Sequence, residues 1–229
     1  MEAVIAKNLE KVRSEIAEAE RFSHQAPESV ELVAVSKSHP VELIREAVEA
    51  GQVVFGENRV QEAKVKILEL PTRLRWHMIG HLQSNKVRQA LPLFEMIHGV
   101  NSVGLLRDIA RLSLESGSFP RVLLQVNVAG EASKFGFSPE ALLAQLEEIA
   151  QVDRIQLDGL MTIPPLTPTP EQARPYFVRL RELRTRLERE FRFPLPHLSI
   201  GMSSDYRVAI EEGATIVRIG TAIFGERRK

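Results

Sequence analysis

The sequence predicts an α/β protein: a single (β/α)8 TIM-type barrel with an extra N-terminal helix, one domain over residues 1–229. Three observations point there. Eight apolar, β-branched runs recur along the chain, helical patterns separate them, and an amphipathic segment precedes the first run. A parallel barrel strand is covered inside by the barrel core and outside by helices. It therefore reads as a continuous apolar run rather than as alternation.

The first segment, Glu2 to roughly Phe22, carries Ile5, Leu9, Val12, Ile16 and Ala19 at steps of three and four, one helical face. The strand-like runs follow at Val30–Ser36, Val53–Gly56, Trp76–Gly80, Glu95–Val100, Val122–Val128, Leu157–Ile163, Leu198–Met202 and Thr215–Ile219. Between them, Val60, Ala63, Ile67 and Leu70 share a face, as do Leu142, Leu146 and Ile149, and Phe177, Leu180, Leu183 and Leu187. Gly99–Val103 leads into a further helix near Leu105–Leu114, and the connection around Ser84–Ala90 is short with the weakest helical pattern. The alternative, a doubly wound open sheet, would often carry a glycine-rich loop after its first strand. Here that strand ends in Ser36-Lys37-Ser38-His39-Pro40, without glycine. Prolines at 164, 165, 168, 170 and 175 block helix and ladder alike, so Ile163–Pro175 reads as a long βα loop on the barrel mouth. An interdomain linker is the other reading of that stretch.

Bulk properties narrow the function. The 229 residues suit one barrel, and thirty basic residues balance thirty acidic ones. Zero net charge argues against a general nucleic-acid binder. Without cysteine there are no disulfides and no zinc-thiolate or iron–sulfur sites. His and carboxylate spacings do not resemble a zinc motif. Met1-Glu2-Ala3 runs straight into a charged helical pattern, and no apolar stretch approaches membrane-spanning length, so a cytoplasmic location is expected.

Three groups of residues carry chemistry. Lys37 follows Leu32-Val33-Ala34-Val35 at the C-terminal end of the first strand, where such barrels keep their sites. Apolar neighbours disfavour its ammonium and expose the amine for imine formation; a snorkelling strand-end lysine is the plainer reading. His197–Asp205 is a strand running into a hydroxyl-rich turn and a helix, with Ser203, Ser204 or Asp205 as its cap. The eighth strand continues into Gly220 and Thr221. Loops after strands seven and eight are the usual phosphate site of this barrel, so Ser203, Ser204, Gly220 and Thr221 together favour a phosphate group over separate capping and turn roles. Arg218 should face the same way as Gly220, inward, either paired with an acid or beside a ligand ring. Glu57 is a support for Asn58 or a neighbouring backbone group. His77, His81, Asn85 and Lys86 cluster around the third strand, and Lys134 reads as a solvated loop lysine.

The chain resembles, over essentially its whole length, the YggS/PROSC-type pyridoxal phosphate homeostasis proteins. The matching stretches are Leu32–Lys37, Phe55-Gly56-Glu57-Asn58 with Val60-Gln61-Glu62, Trp76–Gly80 followed by Leu82–Lys86, Gly159-Leu160-Met161, Leu198–Ser203, and Val217–Gly225. The resemblance implies a barrel related to the N-terminal domain of alanine racemase. It implies pyridoxal 5'-phosphate (PLP) as cofactor, held as a Schiff base on Lys37, with Ser203, Ser204, Gly220 and Thr221 at the phosphate. It sets Arg218 against the pyridine nitrogen and Asn58 near the imine. A permanently charged guanidinium there disfavours ring protonation and weakens the electron sink. The expected role is PLP homeostasis (storage, buffering or delivery) without substantial turnover. Expected partners are PLP itself and, transiently, PLP-dependent apo-enzymes or a regulator, with no nucleic acid and no membrane; a monomer is expected. The rival is a PLP-dependent amino-acid racemase. It needs a second base, which racemases take from a tyrosine on a C-terminal β-domain expected to be missing here. Neither Tyr176 nor Tyr206 is a clear substitute. An interaction protein reporting vitamin status is a third reading.

Overall fold

A computed structural model describes residues 4–131, 134–192 and 194–226. Eight parallel strands close into a barrel in sequence order. They are β1 (Glu31–Val35), β2 (Val54–Glu57), β3 (Arg75–Met78), β4 (Met96–Val100), β5 (Arg121–Gln125), β6 (Gln156–Met161), β7 (His197–Ser199) and β8 (Ile216–Ile219). Each lies within or against one of the eight apolar runs. The runs are apolar throughout because two cores flank the sheet. Val33, Val35, Val54, Ile79, Met96, Leu123, Met161 and Ile216 fill the barrel interior. Ala34, Phe55, Ile97, Leu124, Leu160, Leu198 and Val217 face outward onto the helices.

The helices are α1 (Val4–Phe22), α2 (Val41–Glu49), α3 (Val60–Glu69), α4 (Val87–Ala90), α5 (Val103–Ser116), α6 (Pro139–Ala144), α7 (Leu146–Ala150), α8 (Arg174–Phe191), α9 (Tyr206–Glu211) and α10 (Thr221–Phe224). Local chemistry sets several of their ends. The Ser102 hydroxyl accepts the Leu105 N–H at 3.2 Å, and α5 stops at Gly117 in the left-handed region. Ser138 caps α6 through the Ala141 N–H at 3.0 Å, with proline at the first helical position. The single face read at Leu142, Leu146 and Ile149 is divided between α6 and α7, which break at Gln145. The weak third connection is a 3-10 turn, Ser84–Lys86, followed by the one-turn α4. The proline-rich stretch leaves β6 as a loop, but its last two prolines open helices: Pro170 a 3-10 turn and Pro175 the first turn of α8.

The N-terminal helix has a structural reason. Among the described residues, the chain after β8 forms only the four-residue α10, too short to cover the barrel there. Helix α1 fills that gap, packing against α2, α9 and α10. Its buried face is the one the sequence marks: Ile5, Leu9, Val12, Ile16 and Ala19. The Asn8 amide donates to the Ile223 carbonyl at 2.9 Å, and the Gln25 amide donates to the Ile210 carbonyl at 2.6 Å.

The N-terminal strand ends form a charged floor. Arg75 donates to Glu31 at 2.8 Å and, bidentately, to both Glu95 oxygens at 2.6 and 2.7 Å. Arg121 reaches Asp158 at 2.5 Å and His197 at 2.9 Å. Such a network shields the interior from one side and leaves the C-terminal strand ends for the ligand.

Strand β6 bends to admit this packing. The β5–β6 register slips between Val122 and Leu123, which face Leu157 and Gly159, so Asp158 is the extra residue of a bulge. Gly159 has φ +154°, and a Cβ there would lie 1.9 Å from the His197 carbonyl oxygen. Gly159→Ala is expected to lose roughly 3 kcal/mol of stability by overpacking. Urea unfolding measures it; a wild-type midpoint would show that β7 can move aside.

Candidate functional site

Strand β1 delivers Lys37 to the barrel mouth. The Ser36 N–H extends the ladder by donating to the Gly56 carbonyl at 3.1 Å, and Ser38 turns the chain in the left-handed region at φ 63°. A buried cluster fixes this turn from behind. Lys66 of α3 donates to the Ser36 carbonyl at 2.8 Å, to Glu57 at 2.6 Å and to Glu62 at 2.7 Å. The Ser36 hydroxyl donates to Glu57 at 2.7 Å, and the Ser38 N–H to Glu62 at 2.5 Å. Glu57 is fully buried, and burial raises its carboxyl above the ordinary range against the pull of Lys66 and Ser36. Removing one partner of such a pair costs about 3–5 kcal/mol, since the other is stranded without water. Glu57 therefore supports the residues before Lys37, and Asn58 follows it at the end of β2. The role of Lys66 was not legible in the sequence, because its partners lie on three separate segments.

At the other side of the mouth, the turn after β7 has an unexpected internal bond. Asp205 occupies the position before α9, yet its carboxylate does not cap the helix; it accepts the Met202 N–H at 2.6 Å. The Met202 carbonyl takes the N–H groups of Asp205 and Tyr206. The N–H groups of Ser203, Ser204 and Thr221 make no hydrogen bond to another described residue. The Ser203 hydroxyl accepts the Ala222 N–H at 3.2 Å, which joins the β7 and β8 turns into one cradle. Gly220 completes it: a Cβ there would lie 3.3 Å from the Val35 carbonyl oxygen, so the β8 turn sits close against the Lys37 strand.

Arg218 enters from β8, facing inward as its parity requires. It is 4% exposed. Its Nη1 donates to the Ser199 hydroxyl at 2.5 Å and its Nη2 to the Thr162 carbonyl at 2.9 Å. The structural ion pair considered for it does not form: both acceptors are neutral. Burial lowers its pKa to about 10, with Asp205 opposing from a distance, so the guanidinium stays charged at neutral pH.

These pieces line one cavity of about 580 Å³, within the usual range for cofactor pockets. Lys37, Asn58, Ser203, Ser204, Arg218, Gly220 and Thr221, the seven residues that the sequence resemblance sets around the cofactor, are on its wall. Val35 of β1 joins them, together with His39, Ile79, Ile163, Leu166 and Met202, which the sequence did not single out. His39 packs its ring 5.0 Å from Phe224. A second cavity of about 360 Å³ lies on the far side of the Ser203–Ser204 turn, beside Asn8, Lys11 and Arg207. It meets neither Lys37 nor Arg218, so it cannot join an amine to the cradle.

The remaining polar candidates separate. His77 lies fully buried in the barrel, while His81 stacks on Phe135 at 4.0 Å outside it. Lys86 lines a shallow cleft with Asn58 and Arg59, and Asn85 is exposed. Lys134 is not simply solvated: it pairs with Glu131 at 3.0 Å and lines a small cavity with Gln125 and Phe135. Among the described residues, no cluster of His and acidic side chains could hold a metal ion, and no helix is long and apolar enough to cross a membrane.

The family model described as alanine racemase, N-terminal domain, matches residues 8–228. The pyridoxal phosphate homeostasis protein of Aquifex aeolicus (strain VF5) is 44% identical over 223 residues, covering 97% of this chain and 98% of that protein. The protein of the same name from Pseudomonas aeruginosa is 46% identical over 233 residues, covering 98% and 96%. Among solved structures, PipY of Synechococcus elongatus PCC7942 with PLP bound aligns at a TM-score of 0.85 and 41% identity, covering 96% of this chain and 100% of that one. Family model, relatives and barrel agree: this chain belongs to the pyridoxal phosphate homeostasis proteins, within the alanine racemase N-terminal domain family.

Proposed function

We propose that this protein binds PLP and serves its homeostasis, storing, buffering or delivering the cofactor, with Lys37 holding it as a Schiff base. The observation that carries this reading is the single cavity that joins an amine, a buried guanidinium and a cradle of free backbone donors and hydroxyls. Those three match an aldehyde, a ring nitrogen and a phosphate. PipY, similar over nearly the whole chain, is described with PLP bound. When bound, PLP supplies an aldehyde for an amine to capture and a ring that acts as an electron sink.

The chain's own residues then divide the work. Lys37 presents its amine from a turn braced by Lys66 and Glu62. Ser203, Ser204 and Thr221 offer hydroxyls and N–H groups to a dianion, and Gly220 lets them approach. Arg218 gives a charged donor to the ring nitrogen, which disfavours protonation there and so discourages carbanion chemistry. Asn58 lines the same cavity as the amine.

Residue placement favours a carrier over a racemase. Racemisation needs a second base across the substrate from the lysine. Tyr206 donates its hydroxyl to Glu15 of α1, and Tyr176 lies on α8 beside Arg179. Neither lines the cavity. We place the protein in the cytoplasm, acting as a monomer in one domain, with transient contact to PLP-dependent apo-enzymes or a regulator.

Borohydride treatment of the PLP-loaded protein should fix the cofactor on the peptide containing Lys37, and Lys37→Ala should abolish this labelling. Mass spectrometry decides, and a label on another lysine with Lys37 untouched would remove the assignment. Ser203→Ala combined with Thr221→Ala should weaken PLP binding by about 1.5–3 kcal/mol per lost hydrogen bond while sparing unphosphorylated pyridoxal. Equal losses for both ligands in a binding titration would place the phosphate elsewhere. Alanine and serine incubated with the holo-protein in heavy water should show no appreciable α-proton exchange by NMR. Rapid exchange that disappears in Lys37→Ala would establish the racemase-type reading instead.

A further inference from the structure

A buried line of polar side chains crosses the barrel behind Arg218. Arg218 Nη1 lies 2.5 Å from Ser199 Oγ, and Ser199 Oγ lies 2.9 Å from His98 Nδ1. His98 Nε2 lies 3.1 Å from His77 Nδ1. His77 Nε2 stands 3.9 Å from a Glu31 oxygen, an electrostatic contact rather than a hydrogen bond. The three middle residues have no solvent exposure. The line begins at the cofactor cavity on β8, passes through β7, β4 and β3, and ends at the charged floor on β1.

The proton positions follow from donor capacity. A guanidinium only donates, so Ser199 Oγ accepts from Arg218. The Ser199 hydroxyl has one hydrogen, and His98 Nδ1 is the acceptor in reach. His98 then carries its proton on Nε2 and donates to His77 Nδ1. His77 in turn carries its proton on Nε2, facing the Glu31 carboxylate. The reverse order would leave the Ser199 hydrogen without an acceptor and set an imidazole lone pair against a carboxylate oxygen. In the order given, every N–H and O–H points from the guanidinium toward the carboxylate, and bonds aligned this way polarise one another. Both rings are neutral: burial lowers His77 to about 3 and His98 well below its ordinary value. The charged and titratable groups around them are Glu31 on β1, Glu95 before β4, Arg75 on β3, Arg121 on β5, His197 on β7 and Arg218 on β8.

We propose that Ser199, His98 and His77 are positioning residues, a one-way hydrogen-bond relay ending at His77 in the field of the Glu31 carboxylate, that holds the Arg218 guanidinium in the orientation meeting the ring nitrogen of bound PLP. This deepens the cofactor reading and rests on it. Ser199 accepts on one side of the guanidinium and the Thr162 carbonyl on the other, so together they fix its plane. Because Ser199 donates onward, its oxygen is the better acceptor for Arg218.

The test has two arms. In the first, the full chain free of cofactor carries ¹⁵N-labelled histidine. NMR should show His77 and His98 protonated on Nε2 with bare Nδ1, unchanged between about pH 5 and 8, the window in which an ordinary histidine titrates. A proton on Nδ1 of either ring, or an imidazolium, overturns the relay. In the second arm, PLP is titrated into Ser199→Ala, Ser199→Thr and His98→Asn. Ser199→Ala should shift the absorption band of bound PLP and weaken its binding roughly tenfold. Ser199→Thr, which keeps the hydroxyl, should restore both. His98→Asn, which keeps an acceptor near the Nδ1 position but cuts the link to His77, should move the band less and in the same direction. It decides alone if Ser199→Ala does not fold. A lowered melting temperature with unchanged band and affinity would mean that these residues only pack the core, and the proposal fails. Failure of the wild type to bind PLP would instead strike the cofactor reading, with the first arm still deciding the relay.

Discussion

The parallel seam between β8 and β1 closes the sheet, setting Val33 opposite Arg218 and Ala34 opposite Ile219. The rest of the site depends on it. A barrel strand has two neighbours, and only closure gives the first strand the last as one of them. The seam brings the Lys37 turn beside Gly220 and Thr221, although nearly the whole sequence separates them. It also fixes parity: side chains alternate along β8, so with Ile216 in the barrel core, Arg218 must also point inward. The cavity is the open space left above that seam.

The barrel spends its polar groups at the two ends and keeps few between. At the floor, Arg75 and Arg121 tie the strand starts together through the partly wet Glu31 and Glu95 and the buried Asp158. Toward the mouth, Lys66 and Glu57 brace the Lys37 turn in nearly dry surroundings. Arg218 differs from both, because it is buried yet has no carboxylate in direct contact. A neutral hydroxyl and a backbone carbonyl hold its charge. That arrangement leaves the guanidinium under-compensated and so a strong donor toward whatever occupies the cavity.

The strands were legible because burial on both faces writes them as apolar runs, and the site was legible because barrels place function at C-terminal strand ends. Lys37, Gly220 and Thr221 sit where that rule looks. Ser199 and His98 escaped notice for the converse reason: they lie inside apolar runs, and only barrel closure reveals that they face each other. Lys66 escaped because its partners Ser36, Glu57 and Glu62 come from the turn after β1, from β2 and from α3. Asp205 looked like a helix cap, since the residue type and position fit, but the Met202 N–H is a nearer claimant. The break at Gln145 left no mark in the apolar spacing, which runs unbroken from Leu142 to Ile149. The leading helix was legible in full as an amphipathic face. What the face would cover was not, because that answer lies in the brevity of α10.

That brevity has a consequence for how the molecule comes into being. On the ribosome, α1 emerges before the barrel strands, with an apolar stripe and no finished surface to bury it on. Its partners α9 and α10, and the β8 edge that completes β1, are synthesised after the other seven strands. Contacts of such long sequence separation are costly to form early, because loop closure must precede any reward. Helix α1 therefore waits through synthesis of the barrel as an exposed apolar surface, of the kind that chaperones shield. Amine, guanidinium and cradle come together only once β8 and the turn after it have been made. A shortened or stalled product would retain Lys37 but lack the site, so it could not hold the cofactor by these groups.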